Sequence, residues 1–192
     1  MTFNLDKLVR ENVKNLVPYS SARKEFAGAA EIFLDANENS FGSPTEKSFN
    51  RYPDPLQTKI KERIAGSHDL SPEHIFIGNG SDEAIDLLFR VFCQPGNDEI
   101  ITTPPTYGMY EVSANINDVR VKKVLLSPDF ELSAEKVLDA VSENTKLIFL
   151  CSPNNPTGNS LKRQEVLRIL EKFCGIVVVD EAYADFSDKP SF

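Results

Sequence analysis

From Leu56 to Asp180 the chain alternates short apolar runs with amphipathic stretches, and this alternation restricts its fold more than any other feature. LQTKIKERIA reads as a helix ending at Gly66, and HIFI at 74–77 as a strand leading into GNGSDE. Helix EAIDLLFRVF stops before Pro95-Gly96, strand EIIT leads into TPPTYG, and a helix from about Tyr107 to Asn115 follows. Strand VRVKKVLL comes next, then a helix opened by Ser133 with Val137, Leu138 and Val141 on one face. Strand KLIFLC leads into SPNNPTG, helix LKRQEVLRILEKF ends near Gly175, and strand IVVVD leads into EAYADF. Repeated strand and helix of this kind predict an α/β fold, a mostly parallel sheet with helices on both faces. The near-continuous apolar runs LIFL and IVVV predict strands buried on both sides.

The first 55 residues follow a different rule. Leu5, Leu8, Val9, Asn12, Val13 and Leu16 have helical spacing and stop before Pro18, which predicts one amphipathic helix with a narrow apolar stripe. Residues 18–55 carry turn formers (Gly42, Pro44, Pro53, Pro55) around the strand candidate EIFL at 31–34, the pattern of an arm. Only about a dozen residues follow the last strand, and none forms a covering helix, so the chain reads as cut short.

Composition narrows the function. With 41% hydrophobic and 26% charged residues the chain can build a core, which excludes wholesale disorder. Its 29 acidic against 21 basic side chains give a net charge of −8, the wrong sign for a nucleic-acid or anionic-membrane surface. No apolar run approaches a membrane span, and charges among the first sixteen residues exclude a secretory signal. Cys93, Cys151 and Cys174 lie far apart without a metal-ligand pair, fitting reduced thiols in a cytoplasmic protein with no bound metal.

Four polar loops, GNGSDE, TPPTYG, SPNNPTG and DEAY, each leave a predicted strand, so strand direction alone places them at one end of the sheet, where open α/β folds bind ligands. Gly80, Ser81 and Asp82 open a helix whose free N–H groups suit a phosphate, although Ser81 serves equally as a simple cap. Tyr107, behind two prolines, offers an aromatic face to a planar ligand or else packs as an ordinary tyrosine. Asn155 sits in a loop stiffened by Pro153 and Pro156, its amide free to address its own backbone or a ligand. Asp180 closes an apolar strand, where its carboxylate needs a partner: a cationic ring nitrogen or a structural donor. Tyr183 is three residues on.

GNGSDEAID, PTYGMY, CSPNNPTG and VVVDEAYADF together resemble the fold type I pyridoxal-phosphate aminotransferases. LVPYSSAR, LDANENSFGSP and RYPDP narrow the resemblance to the histidinol-phosphate aminotransferase group, over essentially the whole chain. The resemblance implies an N-terminal arm and small-domain segment at 1–55 and a partial cofactor-binding large domain at 56–192. It implies pyridoxal 5'-phosphate as cofactor, its phosphate on the backbone of Gly80, Ser81 and Asp82 and its ring stacked on Tyr107. Asn155 and Tyr183 would bond the ring hydroxyl, and Asp180 the ring nitrogen. Tyr52 would reach the phosphate in a neighbouring subunit of a homodimer with shared sites, and Tyr19 and Asn37 would lie near substrate. The implied reaction is ping-pong transfer of an amino group between L-glutamate and imidazole acetol phosphate, giving L-histidinol phosphate. The lysine that would form the Schiff base lies beyond DEAYADF in the family, so no catalytic lysine is expected among the thirteen here, and Lys162, the nearest in sequence to a site loop, reads as a solvated helix residue. Threonine-phosphate decarboxylases and aromatic aminotransferases share these loops, and a non-catalytic fragment is the remaining alternative.

Overall fold

The computed structural model describes residues 3–20 and 32–192. Contacts divide the chain into two compact units, Met1–Asn15 with Gly78–Phe192 and Leu16–Ile77, so the expected boundary at 55/56 falls inside the second unit.

The larger unit is built on four parallel strands, β1 (Glu99–Thr102), β2 (Arg120–Lys123), β3 (Thr145–Cys151) and β4 (Ile176–Asp180), in the order β2-β1-β3-β4. Parallel neighbours need crossovers, and the helices supply them. Among the described residues the α-helices are α1 (Glu11–Lys14), α2 (Thr58–His68), α3 (Gly80–Phe92), α4 (Met109–Ile116), α5 (Ala134–Asp139) and α6 (Arg163–Lys172). The order reverses direction between β1 and β3, which makes their C-terminal ends a topological switch point.

The period of two along each strand sorts side chains onto two faces. Ile100, Leu147 and Phe149 pack under α3 and α4 with Ile85, Phe89, Tyr110 and Ala114. Ile101, Ile148 and Leu150 pack on the other face under α5 and α6 with Val137, Val166 and Ile169. Full burial of each such side chain contributes about 1.5–3 kcal/mol. β3 is closed on both faces as LIFL predicts, but β4 is half-buried along its whole length, because among the described residues it pairs with β3 alone.

Several elements depart from the sequence reading. HIFI forms no strand: Ile75 is extended, but among the described residues the segment has no ladder partner, and Phe76 is exposed. α2 runs through Gly66 and ends at His68, capped by Asp69 in the left-handed conformation that closes the helix. VRVKKVLL pairs only over Arg120–Lys123. The N-terminal stripe is not one helix but a 3₁₀ turn at Leu5–Lys7 and the single turn α1. Arg10 between them is extended, since its N–H donates to Val91 O at 2.9 Å and its guanidinium to Arg90 O at 2.8 Å, covering carbonyls that the end of α3 leaves free. Ile32–Leu34 have no regular structure, and Glu31 of EIFL lies outside the described residues.

Candidate functional site

Three of the four polar loops leave the C-terminal ends of adjacent strands β1, β3 and β4, and the fourth opens α3 on the same unit. α3 starts at Gly80, whose φ of +74° is open to glycine at no steric cost. Asn79 is the N-cap but its side chain caps nothing; instead the Glu83 carboxylate turns back to accept from the Asn79 N–H. The N–H groups of Gly80, Ser81 and Asp82 therefore keep the unpaired, anion-seeking character of a helix start. Ser81 is not the cap that the simpler reading made it.

The Asp82 side chain has a different task. It accepts the Tyr107 hydroxyl at 3.0 Å, fixing the ring beside the start of α3. That hydrogen bond, burial, and the charges of Asp82, Asp180 and Tyr183 all raise the Tyr107 phenol above its ordinary range and keep it protonated. Tyr107 also meets Tyr110 edge to face, with centroids 5.6 Å apart.

Asp180 ends β4 in register with Cys151 of β3, on the face covered by α3 and α4. One carboxylate oxygen accepts the Tyr110 hydroxyl at 2.6 Å and the other the Ala182 N–H at 3.1 Å. Tyr110 is wholly buried and stacked on Phe149 at 4.8 Å; burial first and the Asp180 bond second push its phenol far up, so it remains a donor. Burial likewise raises the Cys151 thiol, whose Sγ lies 3.3 Å from Pro153 O.

Asn154, which the sequence reading passed over in favour of its neighbour, is buried and ties two loops together. Its amide donates to Pro105 O at 2.8 Å and Thr157 Oγ1 at 2.6 Å, and its oxygen accepts the Thr106 hydroxyl at 2.9 Å. With Asn154 committed to the Pro105 carbonyl and to the hydroxyls of Thr106 and Thr157, Asn155 lines a cavity of about 490 Å³ together with Tyr183, Phe186, Ser187 and Lys189. Tyr107 and Asp180 are not in the lining of that cavity. Lys189 is a further residue that its sequence position, outside every loop motif, did not mark. Lys162 is 2.6 Å from the Glu131 carboxylate, mostly exposed.

Tyr19, Asn37 and Tyr52 belong to the unit Leu16–Ile77 and are exposed there. Tyr52 is fixed through its backbone, whose N–H donates to Glu38 at 2.7 Å, beside the Arg51–Glu38 ion pair at 2.8 Å. Of LVPYSSAR, residues 21–23 lie outside the described residues.

The donor set fits pyridoxal phosphate on chemical grounds: helix-start N–H groups for a dianion, an aromatic face, an amide for a ring hydroxyl, and an oriented carboxylate for a protonated ring nitrogen. Among the described residues no group of three or more His, Cys, Asp or Glu side chains is placed to hold a metal, and no helix is long and apolar enough to cross a membrane.

Residues 29–192 match the family model of the class I and II aminotransferases. A histidinol-phosphate aminotransferase of Cytophaga hutchinsonii is 58% identical over 192 residues, all of this chain but 55% of the relative, so the chain spans about half the length of the curated relatives it matches. The crystal structure of histidinol-phosphate aminotransferase from Sinorhizobium meliloti in complex with pyridoxal-5'-phosphate superposes with a TM-score of 0.64 at 26% identity, covering 70% of this chain and 37% of that one. N-succinyldiaminopimelate aminotransferase from Mycobacterium tuberculosis gives 0.60 at 28%, over 70% and 38%.

Proposed function

Since the chain belongs to the class I and II aminotransferase family, we propose that residues 1–192 form the N-terminal part of a histidinol-phosphate aminotransferase. The full-length protein would move an amino group between L-glutamate and imidazole acetol phosphate, producing 2-oxoglutarate and L-histidinol phosphate. The observation that carries this reading furthest is the Asp180 carboxylate, held by two donors at the end of β4 and beside the Tyr107 ring.

When bound, pyridoxal phosphate supplies the electron sink for removal of an α-proton. The chain's own residues bind and orient. The first N–H groups of α3 take the phosphate, where helix-end partial charge favours an anion by about 0.3–1 kcal/mol. Tyr107, held by Asp82, covers one face of the ring and keeps water from it. Asp180, its carboxylate held by Tyr110 and Ala182, would pair with the ring nitrogen and hold a proton there. The amide of Asn155 and the hydroxyl of Tyr183 address the ring hydroxyl from the cavity they line. Tyr19 and Asn37 are assigned to substrate, and Tyr52 to the cofactor phosphate of a second subunit in a homodimer working in the cytoplasm. The Schiff-base lysine is assigned to the part of the protein that follows residue 192.

A glutamate-dependent assay of the full-length protein tests this, with imidazole acetol phosphate set against aromatic 2-oxo acids and with threonine phosphate offered for decarboxylation. The expected outcome is turnover on imidazole acetol phosphate at a kcat/KM at least tenfold above each competitor. A preference for an aromatic acid, or decarboxylation, would reassign the enzyme within the family, and no turnover at all would leave a binding role.

A further inference from the structure

Tyr110 lies outside the loop residues that face the ligand end, yet it makes the shortest side-chain contact to Asp180. An Asp carboxylate rotates broadly about its last torsion, so rotamer preference does not fix its plane. Here Tyr110 and the Ala182 N–H each hold one oxygen. The tyrosine ring is itself immobilised, fully buried on α4 and stacked on Phe149, which stacks in turn on Phe89 of α3 at 5.5 Å. The packed face of the sheet thus reaches the carboxylate through one hydroxyl.

We propose that Tyr110 is a positioning residue: its hydroxyl fixes the plane of the Asp180 carboxylate so that the unshared lone pairs meet the cofactor's ring nitrogen. This rests on the reading of Asp180 as that nitrogen's partner. Hydrogen bonds to a charged group contribute more than neutral ones, enough that losing this one weakens cofactor binding about tenfold. The titratable groups around Asp180 are Tyr110, which donates to it, Cys151 across the ladder, and Tyr107, whose phenol the Asp180 charge helps to raise; all three are neutral while protonated.

The test uses the full-length protein loaded with pyridoxal phosphate labelled with ¹⁵N in the ring. Tyr110→Phe keeps the ring packing and removes the hydroxyl, and Asp180→Ala is the reference. Tyr110→Phe should raise the cofactor dissociation constant about tenfold and move the pH at which the ring nitrogen loses its proton down by about one unit, with circular dichroism unchanged. Asp180→Ala should move both further, and Tyr110→Phe should add nothing in that background. If Asp180→Ala shifts the nitrogen and Tyr110→Phe does not, Tyr110 only packs and the inference fails alone. If Asp180→Ala shifts nothing, the assignment of Asp180 fails first and takes Tyr110 with it. Should Tyr110→Phe not fold, ¹³Cζ-tyrosine spectra of the unsubstituted protein decide: the Tyr110 signal should move on adding pyridoxal phosphate and stay still with inorganic phosphate, and a signal indifferent to both overturns the proposal.

Discussion

Two carboxylates, Asp180 and Glu99, occupy opposite ends of the same sheet and do opposite work. Asp180 ends β4 with its remaining lone pairs uncommitted, so in the full-length enzyme Asp180→Ala should lower kcat by about 10²–10³, a larger loss than the about 1–3 kcal/mol of stability given up where the buried Tyr110 hydroxyl loses its partner; kcat within about tenfold of the parent would refute its role. Glu99 begins β1 with its side chain 1% exposed, and it is fully committed: Lys122 at 2.7 Å, the Ser142 hydroxyl at 2.6 Å and the Thr145 hydroxyl at 2.8 Å. Burial by itself would raise its carboxyl, but Lys122 and the two hydroxyls outweigh burial and hold it below the ordinary value. A carboxyl lowered on folding stabilises above its unfolded value, and that stability is lost as pH falls through the folded one. Glu99→Gln should therefore cost about 1–3 kcal/mol in urea unfolding at pH 7, with the difference from the parent narrowing towards pH 4. Equal differences at both pH values would show that folding leaves the Glu99 carboxyl unshifted. Asp180 was legible in the sequence because a carboxylate closing IVVVD demands a partner. Glu99 and Tyr110 were not, because their partners stand 23 and 70 residues away and are found only once strand order and the α4 face are known.

At the scale of elements, the strands that local pattern placed correctly are those that the sheet also accepts. EIIT, KLIFLC and IVVVD have ladder partners on at least one side; HIFI is also rich in apolar residues but among the described residues has none, and remains outside the sheet. Ser133 opens α5 as the pattern predicts, its side chain accepting from the Lys136 N–H. The N-terminal stripe misled because periodicity does not register where a backbone group is needed elsewhere, and Arg10 is extended to serve the end of α3. The turn between α6 and β4 was marked only as a helix stop, but Gly175 there is also a close approach. A Cβ at that position would stand 2.3 Å from Phe173 Cζ and 2.6 Å from the main-chain oxygen of Lys146 in β3. The ring can rotate away and the strand cannot. Gly175→Ala should cost at least about 1–3 kcal/mol, seen as a lowered urea midpoint, and a midpoint equal to the parent's would mean that β4 shifts freely against β3.

For the molecule as a whole, the open side of β4 and the distribution of lysines set the expectation for residues 1–192 expressed alone. Unpaired N–H and C=O groups on a strand edge favour association, so light scattering should rise with concentration. Mixed with pyridoxal phosphate and reduced with borohydride, this piece should give no singly labelled lysine and no glutamate-dependent turnover. Lys189, which lines the cavity with Asn155, is the residue to inspect first in the peptide map, ahead of the Glu131-paired Lys162. One uniquely modified lysine together with turnover would overturn the assignment of the Schiff-base lysine to a later segment. The bonds of Asn154 carry one more consequence, for anyone recombining such enzymes. Because one buried amide joins 103–108 to 153–158, neither stretch is an independent module. Transplanting either loop alone would strand an amide or a hydroxyl in the interior, so chimeras that cross over between β1 and β3 need both loops from the same parent.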